Sequence, residues 1–306
     1  PFRRWHSVAR FATMLDREIN RISPDVIFVR HFKLAKHLLR LRPSLPLVYE
    51  AHEVFSATAP EHKLTRTRRS EAFVLKSASG VVYISDAVQA AVRAAYPVTG
   101  KEIVLHSGVS IPDSLPEKDW QHCGRHIVYA GSYYGWKGVD DLVAAAAMLP
   151  GCRCTLLGGE ATEVERLAAR VTPSGADVIL LPRLPADQVM THLANACIAV
   201  LPNRAEGVSH FTSPLKLFEY MGAGCAVVAA DLPSIREVVA TDEASWFKPG
   251  DPASLATAIR RLVADPERAR TCGQTLRRKA RTYTWNARSE QLMRFMSALV
   301  SKYNTP

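Results

Sequence analysis

The sequence predicts an α/β protein built from two doubly wound, Rossmann-like parallel sheets, the N-terminal one incomplete, and three observations predict it. Short β-branched runs alternate with segments of helical period along the whole chain. The strand candidates are nearly continuous apolar runs, as expected of strands covered by helices on both faces. With 306 residues the chain exceeds what a single hydrophobic core usually serves. Its 47% hydrophobic content excludes a disordered chain, and no run of about 18 uncharged apolar residues offers a membrane-spanning helix.

In chain order, residues 1–22 read as a charged amphipathic helix without a glycine. No apolar stretch follows the charges of residues 1–10, so a secretory leader is not expected, and the opening Pro1 leads us to expect chain upstream. Strands are expected at 25–29, 47–51, 81–85 and 103–106, with Ser85 capping a helix over 86–95. Residues 110–126 carry two prolines, mixed charge and no periodicity, which marks a break. Strands resume at 127–131, 154–158, 178–181, 198–201 and 226–230. Between them, Thr162 with Glu165 and Ser234 with Glu237 read as capping boxes, and Asp251-Pro252 and Asp265-Pro266 as cap-then-proline helix starts. Ser213 reads as an N-cap with Pro214 in the first helical position, the helix ending at 222–224. Residues 285–300 form an amphipathic helix with Leu292, Phe295, Met296 and Leu299 on one face. The expected domains are therefore 1–110, a linker at 111–125, 126–284, and a C-terminal helix at 285–306 packing back toward the first domain. In such folds a ligand lies at the carboxyl ends of the strands, and with two domains in the crevice between them.

Charge is uneven. Residues 1–110 hold 17 Lys and Arg against 9 Asp and Glu, a balance of +8 out of the total of +10. Such a half points either to an anionic partner (nucleic acid, a membrane surface or a phosphorylated acceptor) or simply to an arginine-rich soluble surface. The basic residues are scattered, with no aromatic-rich strand or recognition helix beside them, so nucleic acid is not expected. Six cysteines without a CxxC pair read as buried small hydrophobes in a reducing compartment, and no metal site is expected.

Two stretches carry chemistry. In HIVYAGSYYGWKGVDDLV, residues 126–143, a strand ends at Gly131, a tight loop with Ser132 follows, and Lys137-Gly138 opens a helix. Backbone amides, a helix N-terminus and one lysine converge on phosphate oxygens in such a turn, although a solvated lysine fits the pattern as well. In residues 209–239, Leu215, Phe218 and Met221 are expected to face the core. Glu219 falls beside that face as an ionisable group, either structural or poised to accept hydrogen bonds from ribose hydroxyls. The amides at Leu215 and Lys216, with the Lys216 side chain, offer a second anion site.

The run Gly131-x5-Lys137-Gly138, then SPLKLFEYMGAG, a VVA strand and DLPSIREVV, resembles the C-terminal domain of the family-4 retaining glycosyltransferases of GT-B fold. Tyr283–Trp285 resembles the same family. More loosely, PDVIFVR, PLVYEAHEVF, ASGVVYISDAV and VLHSGV resemble its N-terminal acceptor domain. The resemblance implies transfer of a hexosyl unit from a nucleoside-diphosphate sugar to a glycan, lipid-linked or small-molecule acceptor, with retention and without a metal or other cofactor. It implies that Lys137 pairs with the donor diphosphate, that Ser213, Pro214, Leu215 and Lys216 cradle it, and that Glu219 holds the ribose. Arg183 and Leu184 stand where the base is met. His52 matches the histidine near the reacting sugar carbon, with Glu50 and Glu53 beside it on the acceptor side. His52, Lys137 and Glu219 are thus the expected catalytic residues.

Three departures stand out. Phe211 occupies the position eight before Glu219 where the family places its first acid, and Ser132 replaces a phosphate-binding arginine, leaving Arg204 or Arg183 as substitutes. The family's opening strand and glycine-rich loop are missing from residues 1–24. The alternatives are a nucleotide-sugar 2-epimerase of the same architecture or a sugar-nucleotide-binding protein without turnover. The expected location is cytoplasmic, peripheral at an anionic membrane surface.

Overall fold

The computed structural model describes residues 8–112, 114–121, 123–173, 175–206 and 213–303. Residues 1–7 of the expected first helix, and Phe211, lie outside the described residues. The chain divides into two compact units, Pro1–His106 with Arg288–Pro306, and Ser107–Ala287.

The first unit runs α1 (Val8–Ile22), β1 (Ile27–Val29), α2 (Phe32–Leu41), β2 (Leu47–Ala51), α3 (Phe55–Thr58), α4 (Glu61–Ser77), β3 (Gly80–Tyr83), α5 (Asp86–Ala95) and β4 (Lys101–Val104). Its strands pair in parallel in the order β1-β2-β3-β4. Every residue of β2 and β3 is buried, which is why β3 reads as an apolar run and β2 as one interrupted only by Glu50. Ser85 caps α5, its Oγ accepting from Val88 N at 3.1 Å. From Arg288 onward, α13 (Trp285–Tyr303) also belongs to this unit. Its Leu292, Phe295, Met296 and Leu299 pack with Val48, Val82 and Leu105. The approach is so close that a Cβ on Gly80 would meet Leu299 Cδ1 at 2.8 Å and Phe295 Cε1 at 2.9 Å. A larger residue there would have to push aside the ends of these two side chains.

The second unit runs β5 (His126–Ala130), α6 (Val139–Ala146), β6 (Arg153–Gly159), α7 (Ala161–Ala168), β7 (Asp177–Pro182), α8 (Ala186–Asn195), β8 (Ile198–Leu201), α9 (Leu215–Gly222), β9 (Ala226–Ala230), α10 (Pro233–Arg236), β10 (Ser245–Phe247), α11 (Pro252–Ala264) and α12 (Pro266–Ala280). Its six parallel strands lie in the order β10-β9-β8-β5-β6-β7. The winding reverses between β5 and β8, so the loops leaving these two strands diverge and open a crevice at their carboxyl ends. Within residues 107–125, Lys118 Nζ donates to the carbonyls of Leu193, Ala194 and Ala196 at 2.7, 2.9 and 2.6 Å, satisfying the C-terminal end of α8, and Trp120 packs on the core.

All nine expected strands are present, with ends displaced by up to two residues, and β10 is an additional short strand beyond those expected. Asp251 and Asp265 cap α11 and α12 as expected. Three helix starts differ. The capping box of α7 is Glu160 with Glu163, not Thr162 with Glu165, because the helix begins as soon as β6 ends at Gly159. Pro233, with its preset φ, starts α10 one residue before Ser234, leaving Leu232 at the N-cap. Pro214, not Ser213, is the N-cap of α9, and Ser213 Oγ accepts from Ser107 N at 3.4 Å instead. Cys152, Cys154, Cys225 and Cys272 are free and buried, whereas Cys197 is disulfide-bonded, unlike the all-thiol reading.

Candidate functional site

In the second unit the candidate residues gather where the sheet order reverses. The loop after β5 is held by its own tyrosines. Tyr129 Oη donates to Ser132 O at 2.7 Å, and the buried Tyr133 donates to Leu156 O at 2.8 Å. Gly138 takes φ +68, and a Cβ there would stand 1.9 Å from Pro202 O. The turn after β5 therefore touches the segment after β8, and only glycine permits it. Trp136 O accepts from Arg204 N at 2.9 Å, joining the same two segments again.

α9 is anchored by Tyr220, fully buried, whose Oη accepts from Ala130 N at 2.8 Å and donates to Ala130 O at 3.2 Å. α9 is thereby tied to the last residue of β5. Leu217, Phe218, Tyr220 and Met221 are buried, but Leu215 is 42% exposed, contrary to its expected place in the core. The reason is geometric: with Pro214 as N-cap, Leu215 is the first helical residue and projects at the open end. Pro214 has no side-chain group to cap α9, and among the described residues no side chain accepts from the first amides, which suits them to an anion.

Lys137 is half-buried, its ammonium 4.0 Å from the centroid of the Trp136 ring, and no carboxylate among the described residues pairs with it. Burial, together with the charge of Lys216, pushes its pKa down to about 8. Two lysines thus act on one another across this turn. Lys216 is itself paired, its Nζ 2.8 Å from Glu219 Oε2, so Glu219 is the carboxylate of the cluster rather than an isolated acid on the apolar face. Arg183 is exposed just beyond β7, and Leu184 packs partly on the core. Arg204 does not stand free to replace the arginine absent at Ser132: its guanidinium forks onto Asp141 at 2.8 and 2.6 Å. Asp140 faces the other way, toward Arg166 and Arg170. Among the described residues no group of three His, Cys, Asp or Glu side chains is placed to hold a metal ion.

In the first unit, β2 delivers Glu50 and His52 at its carboxyl end. His52 Nε2 lies 2.5 Å from Glu50 Oε1, and Arg288 Nη2 lies 3.2 Å from Glu50 Oε2. Arg288 Nε also donates to His106 O at 3.0 Å. Burial works to raise the Glu50 pKa, but the His52 and Arg288 contacts outweigh it and hold the carboxyl below its ordinary value. Glu53 does not join this group; it accepts from Thr58 Oγ1 at 3.3 Å. Arg288 is the residue that sequence reasoning misses, since 238 positions separate it from Glu50. Trp136 and Tyr220 are missed too: Trp136 lies in a short loop with no pattern, and Tyr220 in the apolar run of α9 reads as core.

Residues 124–265 match the family described as Glycosyl transferases group 1, and residues 1–111 match Glycosyltransferase Family 4. The chain belongs to the group 1, family 4 glycosyltransferases. The α-maltose-1-phosphate synthase of Mycolicibacterium smegmatis is 27% identical over 323 residues, covering 92% of this glycosyltransferase and 82% of that protein. The D-inositol 3-phosphate glycosyltransferase of Mycobacterium tuberculosis is 27% identical over 191 residues, 59% of this chain and 38% of its own length. Among solved structures, sucrose-phosphate synthase from Thermosynechococcus elongatus superposes with a TM-score of 0.79 at 19% identity, covering 96% of this chain and 78% of that one. Anabaena HepE in complex with UDP-glucose gives 0.72 at 21% identity, covering 95% and 82%. These likenesses show the GT-B fold. Among the described residues no helix of this glycosyltransferase is long and apolar enough to cross a membrane.

Proposed function

We propose that this glycosyltransferase is a retaining hexosyltransferase whose second unit binds the nucleoside-diphosphate sugar and whose first unit serves the acceptor. The observation that carries the reading is Lys137, a half-buried lysine with its pKa pushed down to about 8 and no carboxylate partner among the described residues, set beside Lys216 and the start of α9, where Pro214 offers no cap. A cation held at such a cost is stabilised once a diphosphate arrives, and more so as negative charge grows on the leaving group. In this reading Lys137 and the Leu215 and Lys216 amides hold the diphosphate, with Gly131, Ser132 and Gly138 shaping the turn against it. Ser213 and Pro214 set the helix start, Glu219 accepts from the ribose hydroxyls, and Arg183 and Leu184 meet the base. His52, its ring oriented by Glu50, works at the sugar's reacting carbon on the acceptor side. The tight Glu50–His52 contact ties up Nε2, leaving Nδ1 as the ring nitrogen for substrate.

Because HepE is known with UDP and with UDP-glucose, UDP-glucose is the first donor to test. Thermal shifts with UDP-, GDP- and ADP-sugars identify the donor, since a ligand of the folded state raises its stability by mass action. Anomeric analysis of the product then tests retention. Stabilisation by no nucleotide sugar, or by nucleoside and nucleoside diphosphate alike, counts against the diphosphate site. Product of inverted configuration counts against the retaining assignment.

A further inference from the structure

The first unit contains a second concavity, a cleft of about 440 Å3 among α1, α2 and α4. Lys33 and Lys36 on α2, with Lys63 and Arg66 on α4, line it together with His37, and among the described residues that line it there is no aspartate or glutamate. None of the four cations pairs with a carboxylate among the described residues; Lys36 Nζ donates instead to Ser70 Oγ at 2.7 Å. Other cations of the same unit do sit on carboxylates, Arg42 on Asp16, Arg93 on Glu102 and Arg288 on Glu50. Burial and the neighbouring charges of Arg40 and Arg66 hold the Lys36 pKa below its ordinary value, so positive charge is crowded here without compensation. Phe32 and the α1 residues Val8 and Ala9 supply an apolar wall.

We propose that this cleft is a binding site for a phosphate group carried on a larger ligand. A phosphate is compact, doubly charged near neutral pH and accepts several hydrogen bonds at once, which suits a cleft lined by four cations better than a single carboxylate would. The volume exceeds that of phosphate alone and falls within the range of ligand pockets, leaving room for the attached body against Phe32. The site is independent of the donor site; only its assignment to the acceptor rests on the acceptor-side role proposed for the first unit. The phosphate belongs either to a soluble phosphorylated molecule or to a lipid headgroup.

Both sources are tested on the full chain. Inorganic tripolyphosphate is titrated calorimetrically, and sedimentation is measured with vesicles of phosphatidylglycerol in phosphatidylcholine against phosphatidylcholine alone. The variant Lys63→Gln/Arg66→Gln alters two exposed residues, and its melting temperature is measured beside wild type to check the fold. Arg17→Gln/Arg21→Gln removes equal charge from α1 outside the cleft, and Lys137→Ala marks the donor site. Loss of two charge-assisted bonds is expected to weaken tripolyphosphate binding at least about tenfold in the cleft variant, with the α1 control unchanged. Lys36→Gln, which can still reach Ser70, should weaken it less. Vesicle binding that is lost in the cleft variant alone assigns the phosphate to a headgroup; tripolyphosphate binding without vesicle preference assigns it to a soluble molecule. Equal losses in the cleft and control variants, no binding of either probe, or binding abolished by Lys137→Ala alone each overturn the proposal.

Discussion

Lys137→Met is expected to make the unliganded protein more stable while weakening its hold on nucleoside diphosphate. A lysine whose pKa falls from 10.5 to about 8 is disfavoured as a cation in the folded state by about 3 kcal/mol, at roughly 1.4 kcal/mol per tenfold change in proton affinity. Solvent at the half-buried ammonium and the lost contact with the Trp136 ring offset part of this, leaving a net gain of about 1–2 kcal/mol. Below pH 8 the lysine is charged in both folded and unfolded states, so the variant's full advantage is present there. Between pH 8 and 10.5 the folded state has shed its proton while the unfolded chain keeps it, and the advantage fades; above 10.5 it is gone. Scanning calorimetry from pH 6 to 10.5 reads this as a rise of roughly 2–8 °C at neutral pH that shrinks in alkali. The same variant should bind UDP more weakly by about 1–3 kcal/mol, and nucleoside without change. A variant less stable than wild type at pH 7, or a gain independent of pH, would refute the claim that Lys137 is a desolvated cation kept for its ligand.

Arg288→Gln removes one partner of the buried Glu50 carboxylate, whose side chain is 10% exposed, and should destabilise the first unit by about 3–5 kcal/mol in chemical denaturation. Because the Glu50 pKa is depressed in the folded state, the stability it contributes is present above its unfolded value and lost as pH falls through the lower folded one; in Arg288→Gln that loss should begin at higher pH. Gly138→Ala should cost at least about 2 kcal/mol, since it adds a left-handed strain to a Cβ placed 1.9 Å from Pro202 O; a neutral effect in urea melts would mean that the two segments are not locked together. Glu219→Gln should weaken ribonucleotide binding by about 1–2 kcal/mol and erase the disadvantage of the 2′-deoxy analogue, and persistence of that discrimination would place the ribose elsewhere.

Much of the architecture is legible along the chain because its signals are local. The buried strands β2, β3, β8 and β9 announce themselves as apolar runs, and Asp251-Pro252 and Asp265-Pro266 mark helix starts by chemistry confined to four residues. The lysine turn and the SPLKLFEYM helix are read the same way, and with them the family. Helix starts fail where two neighbours offer competing caps: Glu160 displaces Thr162, and Pro214 displaces Ser213, by one or two positions that no local pattern separates.

What the order of residues determined by itself is therefore the alternation of strands and helices, the two-sheet class and the identity of the side chains available for anion binding. Tertiary structure alone decided their state. Lys137 and Lys216 are 79 positions apart and act on one another only because Tyr220 pins α9 to the end of β5. Arg204, equally a candidate in sequence, is spent on Asp141 because the segment after β8 passes over the start of α6. Glu50 is held below its ordinary pKa although buried by its neighbour His52 and by Arg288, which α13 brings to it across 238 positions. Burial and charge pairing are properties of distance in space, and chain order constrains that distance only over the few residues that make a turn.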